Sequence, residues 1–425
     1  MVMNVCIETY GCSANQSDSE IMAGLLTQAG FDIVHDPELA DIIIINTCIV
    51  KGTTERRVIS KIKKIEKSEK KLVVAGCMPE AMYKQLREIT KAPAVGPYQI
   101  KKIVSIVKAA IEGKQIEALG GICNKTLLPK IRRNPVIDII QIQHGCLSAC
   151  SFCITRKARG SLHSESPDSI SKEVLLAHKA GVKEFWFTGQ DTGCYGFDMN
   201  TNLAELINKV TTNVKGKYFI RLGMMNPQHA KQILSELIEA YKHNQVFKFL
   251  HIPVQSGSNR ILTDMRRGHD VEDFVSAVEQ FRRNIPGITI WTDIIVGYPG
   301  ETDKDFQKTI DLLKKIQPDY TNISRFTTRP GTEAAKKKQL PTEIKKQRSR
   351  VASKIVDKIC LQQNKRWIDW SGIALVDEYN RAKQTWIARN YAYKPIVLKG
   401  QYRLGQFVKV KIKEAATTHL VGVAI

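Results

Sequence analysis

Cys146, Cys150 and Cys153 stand in a C-x3-C-x2-C spacing, so one short loop must bring three thiols together. Thiolates are soft ligands that select zinc, copper(I) or iron–sulfur clusters. A cluster usually takes four cysteines, and a structural zinc takes four protein ligands. Here the local count stops at three, so a cluster held by this loop has one iron left open. Two plainer readings stand beside it: three buried cysteines, or a zinc knuckle completed by His144 or His163.

The chain before this loop alternates short apolar runs with amphipathic stretches. Residues 5–9, 41–46 and 72–75 read as strands, and 18–28 and 54–69 as helices. The run Asp41-Ile42-Ile43-Ile44-Ile45-Asn46 is nearly all apolar, as expected of a strand buried on both faces. A β-α-β-α-β order predicts a parallel, doubly wound sheet. Each of these strands is followed by one cysteine: Gly11-Cys12, Thr47-Cys48 and Gly76-Cys77. Ligands gather at the carboxyl edge of such sheets, so the topology predicts a second cysteine triad. A helix at 100–113 closes this domain, and the basic stretch 124–135 suits a linker.

From residue 137 a second α/β series begins. Strands are expected at 137–142, 184–188, 218–222, 247–251, 289–295 and 320–323. Helices at 167–180, 203–212, 228–242, 271–284 and 303–316 separate them. Six β/α units favour a partial or full barrel with its chemistry at the carboxyl ends of the strands. The cysteine loop, Gly189-Gln190-Asp191, Gly223 to Asn226 and Gly297-Tyr298-Pro299-Gly300 all fall there. A basic helical bridge, 336–365, leads to five short strands (373–377, 385–389, 395–398, 407–412 and 420–425), which predict a small antiparallel, OB-like β-barrel. Residues 365–425 hold 11 Lys and Arg against four acids, interleaved with Trp367, Trp370, Trp386, Tyr379, Tyr391, Tyr393 and Tyr402. Cations for phosphates and aromatic faces for bases suit RNA. The alternative is that the aromatics build the barrel core, as Trp386 is expected to do.

The 425 residues suffice for two or three domains. Ten cysteines, with no signal-peptide pattern after Met1, point to a reducing, cytoplasmic setting and to metal or redox chemistry instead of disulfides. No run of about 18 apolar residues appears, so no membrane partner is expected. The net charge of +22 favours a polyanion.

With these features in one order, the chain resembles the methylthiotransferase family, which joins an N-terminal methylthiotransferase domain, a radical S-adenosylmethionine (SAM) domain and a C-terminal TRAM domain. The resemblance rests on Gly11-Cys12-Ser13 with Asn15, Ser17-Asp18, Met22-Ala23-Gly24, Ala75-Gly76-Cys77, Gly145-Cys146-Leu147, Asp191-Thr192-Gly193, the stretches 249–257 and 292–302, and Arg329-Pro330-Gly331-Thr332. It is closest to the branch acting on N6-threonylcarbamoyladenosine in tRNA. Glu333 departs from the proline common after Gly-Thr, and the C-terminal hydrophobic anchor of some animal relatives is not seen. The resemblance implies domains at 1–113, 136–362 and 363–425, with a linker at 114–135.

By the same resemblance, Cys146, Cys150 and Cys153 hold a [4Fe–4S] cluster that reduces SAM to a radical. Cys12, Cys48 and Cys77 hold a second [4Fe–4S] cluster that delivers sulfur. The implied product is the 2-methylthio derivative at position 37 of a tRNA anticodon stem-loop, formed with electrons from a donor such as a flavodoxin or ferredoxin. Phe152, Gln190, Asp191, Arg221, Gly297 and Gly300 are the expected SAM contacts. Isopentenyladenosine in tRNA or a ribosomal protein aspartate are alternative substrates. A non-catalytic, zinc-containing RNA-binding protein is the alternative of another class.

Overall fold

The computed structural model describes residues 2–50 and 52–425; Met1, where the first domain begins, lies outside them. Six strands form the first sheet: β1 (Asn4–Thr9), β2 (Asp32–Val34), β3 (Ile42–Thr47), β4 (Lys71–Gly76), β5 (Ala94–Val95) and β6 (Glu117–Ala118). Their order is β2-β1-β3-β4-β5-β6, and every pairing is parallel. The continuous isoleucine run of β3 is explained by helices on both faces. Ile43 and Ile45 pack with Val58, Ile62 and Ile65 of the helix Gly52–Ile65. Ile42 and Ile44 face the other way, toward Ile21, Met22 and Leu26 of Ser13–Gln28 and Ile103, Ile106 and Val107 of Ile103–Ile111. Each fully buried isoleucine contributes about 1.5–3 kcal/mol.

β6 falls in the stretch read as a linker, and parts of that stretch are buried. Lys125 is buried against Asp18, and Lys130 bonds Asp138 at 2.9 Å and Glu173 at 2.5 Å. The chain then enters β7 (Ile137–Gln141) and a short antiparallel pair, β8 (Gln143–His144) with β9 (His163–Ser164). β10 (Glu184–Thr188), β11 (Phe219–Leu222), β12 (Phe249–His251), β13 (Thr289–Val296) and β14 (Tyr320–Arg325) follow. β7-β10-β11 and β12-β13-β14 are parallel sheets, bridged where Ile220 meets Val246. Together they make a six-stranded partial barrel. The helices pack outside it, two of them started by capping boxes at Asp270 and Thr302. The expected helix 228–242 is divided by a 3-10 turn, Lys231–Ile233. The free side of β7 is covered by the helix Ser13–Gln28, whose Ser17 Oγ donates to Ile139 O at 2.9 Å.

The expected bridge helix 336–365 is also divided. A short helix, Glu333–Lys336, ends, and a long one runs over Thr342–Lys365. Pro341 stands just before the second, where its missing N–H costs nothing. β15 (Ser371–Asn380), β16 (Thr385–Asn390), β17 (Pro395–Leu398), β18 (Phe407–Ala415) and β19 (Leu420–Ala424) close a barrel in the order β15-β16-β17-β19-β18. It is not wholly antiparallel: β17 and β19 pair in parallel. Trp367, Trp370, Trp386, Tyr391 and Tyr402 all pack on its core, and Tyr393 packs against Phe247 and Phe249 of the partial barrel. Of these aromatics only Tyr379 counts as well exposed, at 40 %. Among the described residues no helix is long and apolar enough to cross a membrane.

Candidate metal centres

β1, β3 and β4 are neighbours, and Cys12, Cys48 and Cys77 follow their carboxyl ends. The approach is close. A Cβ on Gly11 would stand 2.7 Å from Cys48 Cβ, and Gly11 has φ +115°. Glycine is the residue that tolerates both constraints. Asn15, one turn into the first helix, ties the strand ends together. Its Nδ2 donates to Thr47 O at 2.8 Å and Tyr10 O at 3.1 Å. Its Oδ1 lies 3.5 Å from Cys12 Sγ and 4.0 Å from Cys77 Sγ. Cys48 and Cys77 are buried, while Cys12 is exposed. Burial pushes the Cys77 thiol up to about 11; Arg159 opposes this, and Cys12 and Cys48 add to it.

The second triad lies on the loop between β8 and β9. Gly145 turns the chain at φ +68°, where a Cβ would meet Ser161 O at 1.9 Å. Arg267 crosses the loop: it donates to Cys150 Sγ at 3.3 Å, and to Asn226 Oδ1 and Pro253 O at 3.0 Å each. Asn226 Nδ2 donates in turn to Ser148 Oγ at 3.0 Å. Ser151 N donates to Met265 O, and Ser151 O accepts from Ala334 N, so the Arg329–Thr332 segment abuts the loop. Glu333, beside it, faces solvent in an ion pair with Lys336. Burial raises the Cys150 thiol, Arg267 opposes it, and Cys153 and Cys146 add to it.

Cys194 lies beside Cys146. Its thiol holds that of Cys146 down at about 7. The ligand atoms of Cys146, Asp191 and Cys194 lie within 4.8 Å of one another; neither predicted triad closes that far among the described residues. Tetrahedral zinc with Zn–S of about 2.3 Å holds its sulfurs only about 3.8 Å apart. The wider triads, each flanked by an arginine, fit a larger thiolate-bound group. The two histidines considered for a zinc knuckle are engaged elsewhere. His144 Nε2 lies 3.2 Å from Glu165 Oε1, with burial holding its ring down at about 4. His163 Nε2 meets Asn124 Oδ1 at 2.9 Å. Cys6, Cys123 and Cys360 are buried.

Arg159 joins the two triads. It ends the short helix Thr155–Arg159 just after Cys153, yet it is 1 % exposed and points into the first domain. Its Nη2 donates to Asp18 Oδ2 at 2.9 Å and Asn15 Oδ1 at 3.1 Å, and its Nη1 to Gln141 Oε1 at 3.2 Å. Tyr98 Oη donates to its carbonyl. Burial alone would raise the Asp18 carboxyl, but Lys125 and Arg159 overcome it and hold it at about 2. Ser13, next to Cys12, meets Thr188 at the end of β10 at 2.7 Å. Thr188 is on the inner face of the partial barrel, so the first triad sits over the barrel's mouth. Asn15 and Asp18 belong to segments that carry the family resemblance, whereas Arg159 and Arg267 carry no motif that names them; the network they form is the signal.

The other expected contacts are spread over the same rim. Phe152 packs beside Ile261, Met265, Tyr298 and Phe326. Gln190 Oε1 is buried and has no hydrogen-bond partner among the described residues. Gly297 (φ +73°) and Gly300 (φ +81°) form a turn whose Gly297 N donates to Glu301 Oε2 at 2.7 Å, a carboxylate also held by Arg348 at 2.6 Å. Asp191 is 2 % exposed and engaged: Oδ1 accepts from Asn226 N at 2.8 Å and Gly193 N at 3.1 Å, and Oδ2 lies 2.7 Å from His229 Nδ1. Arg221 stands lower, on the inner face of β11 beside Trp186 of β10.

A partial six-stranded barrel with this cysteine loop is the fold of the radical SAM superfamily, whose family model matches residues 140–313; a second model, described as "Uncharacterized protein family UPF0004", matches residues 4–95. Solved structures agree on the fold. The radical S-adenosylmethionine methyltransferase TsrM from Kitasatospora setae has a TM-score of 0.53 at 15% identity, over 79% of this chain and 77% of that one. The cobalamin-dependent S-adenosylmethionine radical enzyme OxsB has a TM-score of 0.54 at 12% identity, over 83% of this chain and 56% of that one.

The chain belongs to the threonylcarbamoyladenosine tRNA methylthiotransferase family. It is 42% identical over 99% of both chains to the probable threonylcarbamoyladenosine tRNA methylthiotransferase of Pyrococcus horikoshii. It is 37% identical to the threonylcarbamoyladenosine tRNA methylthiotransferase of Homo sapiens, over 99% of this chain and 74% of that one.

Proposed function

We propose that this protein converts N6-threonylcarbamoyladenosine at position 37 of tRNA to its 2-methylthio derivative. The observation that carries the reading is the junction at Arg159, Asn15 and Ser13, which sets both cysteine triads over one barrel mouth. In this reading Cys146, Cys150 and Cys153 hold one [4Fe–4S] cluster, and Cys12, Cys48 and Cys77 hold the other. Gln190, the Gly297–Gly300 turn and Phe152 border SAM. Bound there, these groups supply hydrogen-atom abstraction at an unactivated carbon, sulfur and a methyl group, chemistry beyond any side chain.

What the chain's own residues contribute is placement and charge. Arg267 and Arg159 offset the thiolate charge of the two sites. Asn226 and Asp191 fix the loop after β11 against the cysteine loop. The helix Ser13–Gln28 closes the open side of the barrel and excludes water from it. The C-terminal barrel brings basic surface for the anticodon stem-loop. A low-potential donor such as a flavodoxin or ferredoxin and a cytoplasmic setting belong to the same reading.

The test is mass spectrometry of tRNA nucleosides from cells with and without the protein. Loss of 2-methylthio-threonylcarbamoyladenosine on deletion is expected, and an unchanged level removes the substrate. Anaerobic reconstitution addresses the class: stoichiometric zinc with no iron overturns the enzyme reading.

A further inference from the structure

A threonine whose amine is joined through a carbonyl to the N6 of adenine keeps its carboxylate. C2 and C6, the carbon that bears N6, flank the same ring nitrogen, so a base with C2 presented at the barrel mouth can direct that carboxylate into the barrel. A cation within the barrel, below its rim, is then placed to receive it.

Arg221 meets that description. It projects from the inner face of β11, in register with Trp186 of β10 and two residues below Thr188, which touches Ser13 beside Cys12. Two residues of strand span about 7 Å. Its guanidinium carbon lies 4.8 Å from the Trp186 ring centre, and 5.3 Å from those of Phe249 and Tyr393. Aromatic faces hold a guanidinium in place and leave its edge free. Among the described residues Arg221 makes no side-chain hydrogen bond and no ion pair, and its buried Nε has no partner. Two buried acids stand nearby, each with one oxygen engaged and the other, Asp377 Oδ1 and Glu184 Oε2, without a hydrogen-bond partner among the described residues. Asp377 pairs with Arg389 at 3.1 Å, and Glu184 accepts from Trp186 Nε1. Burial also raises the Glu184 carboxyl, which weakens it as a counter-ion.

We propose that Arg221, caged by Trp186, Phe249 and Tyr393, binds the carboxylate of the threonylcarbamoyl group and so sets the substrate class of the site. The inference rests on the proposed function and names the group that separates a threonylcarbamoyl base from a neutral N6 substituent. The planar fork of arginine matches a carboxylate with two parallel hydrogen bonds.

The reconstituted full-length enzyme is titrated with two anticodon stem-loop RNAs: one carrying threonylcarbamoyladenosine at position 37, the other its methyl ester. The wild type is expected to bind the acid about 10–100-fold more tightly than the ester, the range for hydrogen bonds to a charged group. In Arg221→Gln that ratio falls to near one, and Arg221→Lys keeps part of it. A wild type that binds acid and ester alike overturns the inference without any variant being needed. So does an Arg221→Gln protein with the wild-type ratio, or one in which only SAM binding is weakened. Failure of the proposed function is seen separately, as a wild type that binds the acid RNA but forms no methylthio product from it.

Discussion

Cys146, Cys150 and Cys153 sit on one loop whose own backbone sets their spacing, braced from outside by Arg267 and Asn226. Cys12, Cys48 and Cys77 come from three strands of one sheet, and their closeness is a property of strand order. The first arrangement is local, and the second exists only once the sheet is formed. Local geometry can be copied as a short motif, whereas sheet-edge geometry must be held by everything that keeps the strands in register. Hence the strand-edge triad needs Asn15 across its strand ends and Arg159 from the neighbouring domain.

The largest expected effect separates the two triads by chemistry. Cys150→Ala should abolish 5′-deoxyadenosine formation, with product falling to background. Cys48→Ala should keep 5′-deoxyadenosine formation and lose the methylthio product. Full product formation by Cys48→Ala breaks the division of roles.

Arg159→Met comes next. It leaves Asp18 buried beside Lys125 with one partner gone, and removing one member of a buried ion pair costs about 3–5 kcal/mol. Denaturant unfolding measures the loss. Iron retention should fall more at Cys12, Cys48 and Cys77 than at the loop triad, because Arg159 touches only the former. Equal retention at both sites breaks the comparison.

A smaller effect is read in acid. Asp18 is held at about 2 in the folded chain, against about 3.9 for a free aspartate. Its folded pKa is depressed, so its stabilisation is complete above about pH 4 and disappears as pH falls through about 2. The contribution is about 2 kcal/mol. Unfolding at stepped pH should show less acid dependence in Asp18→Asn over that window, and an unchanged slope contradicts it. The smallest effect is that of Tyr98→Phe, which removes the hydroxyl donating to Arg159 O and costs about 1 kcal/mol. Both triads should keep their iron in that variant; loss of the strand-edge site would make Tyr98 part of it.

The loop triad was readable because its ligands, its turn glycine and its spacing lie within one short stretch. The strand-edge triad was readable one step further, through the rule that parallel sheets deliver loops to one edge. The bond between them was not. Arg159 sits in Thr-Arg-Lys-Ala-Arg-Gly and Lys125 in a basic stretch, and both compositions describe solvated surface. They are buried because Asp18 waits 141 and 107 positions away, and a charge's burial depends on a partner that local pattern does not specify. The aromatics of the C-terminal barrel show the same limit. Their interleaving with lysine and arginine suits base stacking, but volume decides, and the small barrel uses most of them as its core.

A ribosome delivers this chain from one end. Asn15 and Asp18 are exposed to solvent long before Arg159 has been polymerised, and the strands bearing Cys12, Cys48 and Cys77 are complete by then. The early-made domain therefore has to wait, with its pocket unfinished, for a residue encoded beyond the next site. A truncated product ending before Arg159 lacks the residue that finishes that pocket.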